Sequence, residues 1–151
     1  IRIDFSVLRI YNQVKEHLNT PDEKGGYEIM DTRMDALHSY LKTQNALYRQ
    51  QAKTLLADDR GDESHFETIR ANIFEIFDTV LSAGEKACAG DPDRIWRFFS
   101  QKLEQIPASW SASYEQARQH GDTETMQVER IKLEAARAIT KAADQIWRET
   151  V

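Results

Sequence analysis

The chain is poor in the residues that staple small proteins covalently or break them into loops. Of its 151 residues, one is cysteine, three are proline and six are glycine. The single Cys88 cannot close a disulfide within the chain, and it fits a reducing, cytoplasmic setting. There is no Cys pair and no His-Glu-x-x-His, so the spacings that hold zinc are missing. Neither Gly-x-x-x-x-Gly-Lys-[Ser/Thr] nor Gly-x-Ser-x-Gly occurs, which removes the glycine-loop nucleotide site and the nucleophile elbow. No apolar run approaches the ~20 residues that cross a bilayer, so no membrane span is expected. The sequence opens on Ile1 rather than Met, which is compatible with a signal peptide or a longer upstream piece having been removed.

Positive charge is scarce as well. Lys and Arg total 20 against 25 Asp and Glu, a formal net charge of −5. An acidic chain neutralises few phosphates, so nucleic acid and anionic membrane surfaces are disfavoured partners. The excess is local. Between residues 58 and 90, Asp58, Asp59, Asp62, Glu63, Glu67, Glu75, Asp78 and Glu85 face only Arg60, Arg70 and Lys86, a net −5 that equals the charge of the whole chain. The stretch before it is the reverse. From Ala36 to Ala57 there is no carboxylate, while Lys42, Arg49 and Lys53 recur at steps of seven and four, on one face of a helix.

What the chain does have is helical periodicity from end to end. Val7, Leu8, Tyr11, Val14 and Leu18 suit a first helix that stops at Asn19-Thr20-Pro21. Ile1, Ile3 and Phe5 alternate too briefly for a strand. Tyr27, Met30, Met34, Leu37, Leu41, Tyr48 and Leu55 follow a 3-4 spacing, with Gln44 and Gln51 at the remaining seam positions. A third helix is read over 63–89. Ser64 and Glu67 would form its capping box, and it would bury two stripes: Phe66, Ile69, Ile73, Ile76, Val80 and Phe74, Phe77, Leu81, Cys88. Asp91-Pro92 opens a fourth helix, which is expected to end before Pro107. A short fifth helix would run from Ser109 to Gly121, and a sixth over 122–149. The reading is one all-α domain over 1–151, an elongated multi-helix bundle of about six helices, three of them long (27–57, 63–89 and 122–149).

The residues that could carry chemistry are few. Bundle di-metal sites use Glu-x-x-His pairs. The nearest here are Asp35-x-x-His38 and Asp62-x-x-His65, and His17, His38, His65 and His120 fall on four different elements. No metal and no cofactor are therefore expected. Cys88 sits on an apolar stripe and reads as a buried thiol rather than a nucleophile. Trp96, Phe99, Trp110 and Tyr114 gather around Pro107 and could line a small-molecule pocket of a sensor domain between helices. An Arg and a His five residues apart suit ribonuclease chemistry, and Arg60 with His65 at a helix entry is the better of two such pairs. Its neighbours Asp58, Asp59, Asp62 and Glu63 would repel a phosphate backbone. The reading that best fits the whole is a non-enzymatic, regulatory or interaction protein. It would be a homodimer with a protein partner, and Lys42, Arg49 and Lys53 are its candidate contact residues.

Overall fold

The computed structural model of the protein describes residues 32–149. Four helices account for nearly all of them: α1 (Thr32–Ala57), α2 (Gly61–Ala87), α3 (Pro92–His120) and α4 (Thr123–Arg148). Each has 26 to 29 residues, or roughly 40 Å at ~1.5 Å rise per residue. The class is the all-α bundle that the periodicity implies. The pattern over Val7–Leu18 and the alternation at Ile1–Phe5 lie outside the described residues.

One part of the six-helix expectation is corrected directly. The helices expected over 92–106 and 109–120 are a single helix, α3, with Pro107 in its interior. Proline removes one backbone donor and crowds the preceding turn, which costs ~3 kcal/mol in a helix interior. The apolar spacing explains why the helix runs on. Ile95, Phe99, Leu103, Ile106, Trp110 and Ala117 keep three- and four-residue steps, or their sum, on both sides of Pro107. Breaking the helix there would turn one half of that face away from α4.

The helix ends follow local chemistry. The Asp91 carboxylate accepts from the backbone N–H groups of Asp93 and Arg94 at 3.1 and 3.3 Å, and Pro92 occupies the first helical position. Gly121, at φ 67°, ends α3 in the left-handed region that a side chain would disfavour. Asp122 caps α4, accepting from the Thr125 N–H at 3.1 Å and the Thr125 hydroxyl at 2.7 Å. The capping box expected at Ser64 and Glu67 is not formed, because α2 already begins at Gly61. Ser64 instead donates its hydroxyl to the Ala52 carbonyl at 2.7 Å and ties α2 to α1, while Glu67 pairs with Arg70.

The cap at Asp122 has a consequence for pH. The hydrogen bond from the Thr125 side chain holds the Asp122 carboxyl below its ordinary value. A carboxyl depressed on folding stabilises the native state above its unfolded pKa, and that contribution fades as pH falls through the lower, folded value. Asp122→Ala is therefore expected to lower the melting temperature at neutral pH and to leave the curves closer together below about pH 3–4. Thermal melts from neutral to strongly acidic pH check this; two parallel curves would contradict it.

Successive helices run antiparallel. Asn45 and Ala71, Ser64 and Ala52, and His38 and Asp78 pair across α1 and α2. Trp96 with Trp147 and Trp110 with Lys132 pair across α3 and α4. The helices α2 and α4 each touch all three others, whereas α1 and α3 barely meet. Gly84 helps α2 approach α3, since a Cβ there would lie 2.7 Å from the Phe98 ring.

The core is not spread evenly along the bundle. The largest fully buried side chains are Phe74, Phe77, Phe99, Leu37, Leu41, Leu81, Ile95, Ile139 and Ile146. All lie in the half that holds the start of α1, the end of α2, the start of α3 and the end of α4. The opposite half, which carries the α1–α2 and α3–α4 turns, buries Ala52, Ser64, Ala117, Glu129 and Ile131. Its other apolar residues, including Leu47, Phe66, Ile69, Trp110, Val128 and Leu133, keep part of their surface in solvent. Of the two stripes expected on α2, Phe74, Phe77, Leu81 and Cys88 are buried along with Ile73. Phe66, Ile69 and Val80 are half-buried, and Ile76 is 40% exposed.

Candidate functional site

The four aromatic residues expected around Pro107 do not close on one space. Because α3 is continuous, Trp96 and Tyr114 stand 18 positions apart, about 27 Å along the axis. Trp96 stacks on Trp147, ring centroids 4.6 Å apart and planes 12° from parallel, and the Arg33 guanidinium covers the Trp147 ring at 4.0 Å. Phe99 is fully buried edge-on to Phe77 at 6.2 Å. Trp110 lies under the Lys132 ammonium at 5.7 Å, and Tyr114 is half-buried further along. Trp96, Phe99 and Trp110 thus each have their own ring or cation neighbours within the bundle.

Arg60 and His65 are also apart in role. The Arg60 side chain donates to Glu63 through Nε at 3.0 Å and through Nη2, and this partner holds the guanidinium even further above its ordinary value. His65 is exposed and lies beside Phe66.

The basic face of α1 is the most regular surface feature. Lys42 and Lys53 are exposed, and neither forms an ion pair among the described residues. Arg49 between them reaches α2, donating to Asn72 at 3.1 Å and to Glu75 at 2.6 Å. The first turn of α2 holds Asp62 and Glu63, where carboxylates suit the positive end of a helix. That argument does not extend to α1, whose last turn carries no basic residue. Lys42 and Arg49 sit further inside the helix and Lys53 just before its last turn.

One polar cluster has no counterpart in the sequence reading. His38 sits between α1 and α2 with Nδ1 2.5 Å from Asp78 Oδ1 and Nε2 2.5 Å from Glu85 Oε1. Each ring nitrogen thus faces one carboxylate oxygen, one on either side of the ring. Asp78 and Glu85 are seven residues apart and share one face of α2. Sequence shows that spacing but cannot show that His38, 40 and 47 residues away, falls between them. The two carboxylates lie at opposite edges of the ring and do not converge. Among the described residues no group of three or more His, Cys, Asp or Glu is placed to hold a metal ion. The cluster therefore works as an interhelical clamp. His38→Ala is expected to leave both carboxylates without their ring partner and to cost about 1–2 kcal/mol, discounted for their partial exposure. Urea unfolding of the variant checks this; unchanged stability would show that water serves the carboxylates equally well.

Glu85 also borders an open groove of about 550 Å³ at the same end of the bundle, lined with Met34, Ser82, Lys86, Gly90 and Ile95. Glu129 is the one buried acid of α4. Its Oε1 accepts from Lys132 at 2.9 Å, while Oε2 is buried without a hydrogen-bond partner among the described residues.

Comparison with known protein families, with characterised proteins and with solved structures finds no match. Among the described residues, no helix is long and apolar enough to cross a membrane.

Proposed function

We propose that the chain is a non-enzymatic interaction or regulatory protein, a helical bundle that presents a helix surface to another macromolecule. The observation that supports this is the uneven core. One half of the bundle is packed with large buried side chains, while the other keeps Leu47, Leu56, Phe66, Ile69 and Val128 partly or largely exposed. Leu56 is 65% and Leu47 46% exposed, on the same helix as the basic face. A bundle that closes at one end holds its four helices in place without using all of their apolar surface. The surface left over is what a protein partner can bury. Lys42, Arg49 and Lys53 would add charge selectivity beside it.

Native mass spectrometry of freshly purified full chain, prepared without chelator or nuclease, tests this reading. The expected spectrum shows the chain with a second polypeptide, of its own or another sequence. Leu47→Glu with Leu56→Glu should reduce that complex while leaving the helical circular dichroism unchanged. A stoichiometric small molecule or metal on a monomer would overturn the reading.

A further inference from the structure

We infer that the outer surface shared by α1 and α2 docks an acidic amphipathic helix of a partner protein. The inference rests on the interaction reading above and names the surface and the chemistry of its partner. On α1, Lys42, Ala46, Arg49, Lys53 and Leu56 recur at three- and four-residue steps and form one stripe. On α2, Asn72, Ile76 and Thr79 do the same. Arg49 joins the two stripes, because it donates to Asn72 and Glu75 across the seam. The stripe residues are exposed except Arg49, which is half-buried. Leu56 is 65% and Ile76 40% exposed, large apolar side chains that the bundle leaves in solvent. The pairing of His38 with Asp78 and of Asn45 with Ala71 sets Ile76 level with Tyr40. Leu56 therefore lies 16 positions further along α1, about 24 Å from the level of Ile76, with the cations between.

The charge of this surface is opposite to the net −5 of the chain. Among the described residues, Lys42, Arg49 and Lys53 share it with Glu75, which Arg49 already holds, and Asp62 stands at its outer edge. Lys42 and Lys53 form no ion pair among the described residues. A partner that buries Leu56 and Ile76 must bring apolar surface of its own, and one that passes over the cations is favoured by carboxylates. An amphipathic helix with acidic residues between two apolar anchors supplies both. Nucleic acid supplies the charge without the anchors, and Asp58, Asp59 and Asp62 at the α1–α2 turn repel both nucleic acid and an anionic membrane. A second copy of the chain fits worse. Pairing this surface with itself about a two-fold axis sets Lys42, Arg49 and Lys53 of the two copies against one another.

Fluorescence anisotropy with the full chain tests the inference. The probe is a labelled synthetic helical peptide of about 18 residues, glutamate-rich between two leucines set about 24 Å apart. It is expected to bind, with a Kd that rises at least tenfold between about 50 and 500 mM salt, while the same peptide with lysine in place of glutamate does not bind. Lys42→Glu with Lys53→Glu, and separately Leu56→Ser with Ile76→Ser, should each weaken binding at least tenfold. All four positions are exposed, and circular dichroism confirms that the variants remain folded. Equal binding of both peptides, no binding of the acidic one, or a Kd unchanged in both variants overturns the inference. So does tighter binding of a single-stranded oligonucleotide or of phosphatidylserine–phosphatidylcholine vesicles, or a dimer of the chain that the same substitutions dissociate. If native mass spectrometry shows a bound polypeptide that survives all four substitutions, this surface fails as the site and the interaction reading stands.

Discussion

Phe77→Ala is expected to destabilise the bundle by about 3–5 kcal/mol, the largest effect of any single change considered. Phe77 has no exposed surface and lies edge-on to Phe99, ring centroids 6.2 Å apart. Truncation removes the transfer energy of the ring and leaves a cavity lined by α2 and α3, where Phe99 loses its aromatic neighbour. The position matters as much as the residue. Phe77 belongs to the densely packed half, which holds α2 and α3 together across few other contacts. The control is Phe66→Ala in the other half, where the ring is already half-exposed and the expected loss is about a third as large. Denaturant unfolding at one fixed protein concentration compares the two; equal losses would mean that the core is uniform along the bundle.

Pro107→Ala is expected to act in the opposite direction and raise stability by about 2 kcal/mol. Proline in a helix interior costs ~3 kcal/mol relative to alanine, and up to ~1 kcal/mol of that gain is returned through the greater freedom of the unfolded chain. The sign is informative. If Pro107 joined two separate helices, its fixed φ would favour the bend, and alanine would weaken the protein. A higher denaturant midpoint for the variant supports the unbroken α3, and a lower one contradicts it.

That proline shows where sequence reasoning stops. The helix class, the cap at Asp91, the stop at Gly121 and a helix start near residue 122 were legible because each is decided within four residues by local hydrogen bonding and backbone preference. Pro107 misleads because its local cost is outweighed by burial further along the same helix, and tertiary packing is not visible in a short window. The clue was present in the spacing of Leu103, Ile106 and Trp110, which keeps its phase through the proline. The start of α2 misleads for a related reason. Ser64 and Glu67 have the spacing of a capping box, but Ser64 lies close enough to α1 for its hydroxyl to bond the Ala52 carbonyl.

The site was less legible than the fold. The basic stripe could be read because Lys42, Arg49 and Lys53 share a helix, and helical phase alone places them together. The His38 clamp could not, since its three members belong to two helices and only the antiparallel register brings them into contact. The exposure of Leu47 and Leu56 follows instead from helical phase, since the apolar seam passes through Tyr48 and Leu55 and leaves both outside it. Apolar periodicity marks a face that can be buried, and the neighbours decide how far along the helix it is.

Hydrogen exchange along the chain tests the central claim, a bundle closed at one end and open at the other for a partner. Amides in 73–87, 95–103 and 135–146 are expected to exchange slowest, near the limit set by global unfolding. Amides in 45–57, 61–70 and 123–130 should exchange at least tenfold faster. Uniform protection along all four helices would contradict the account.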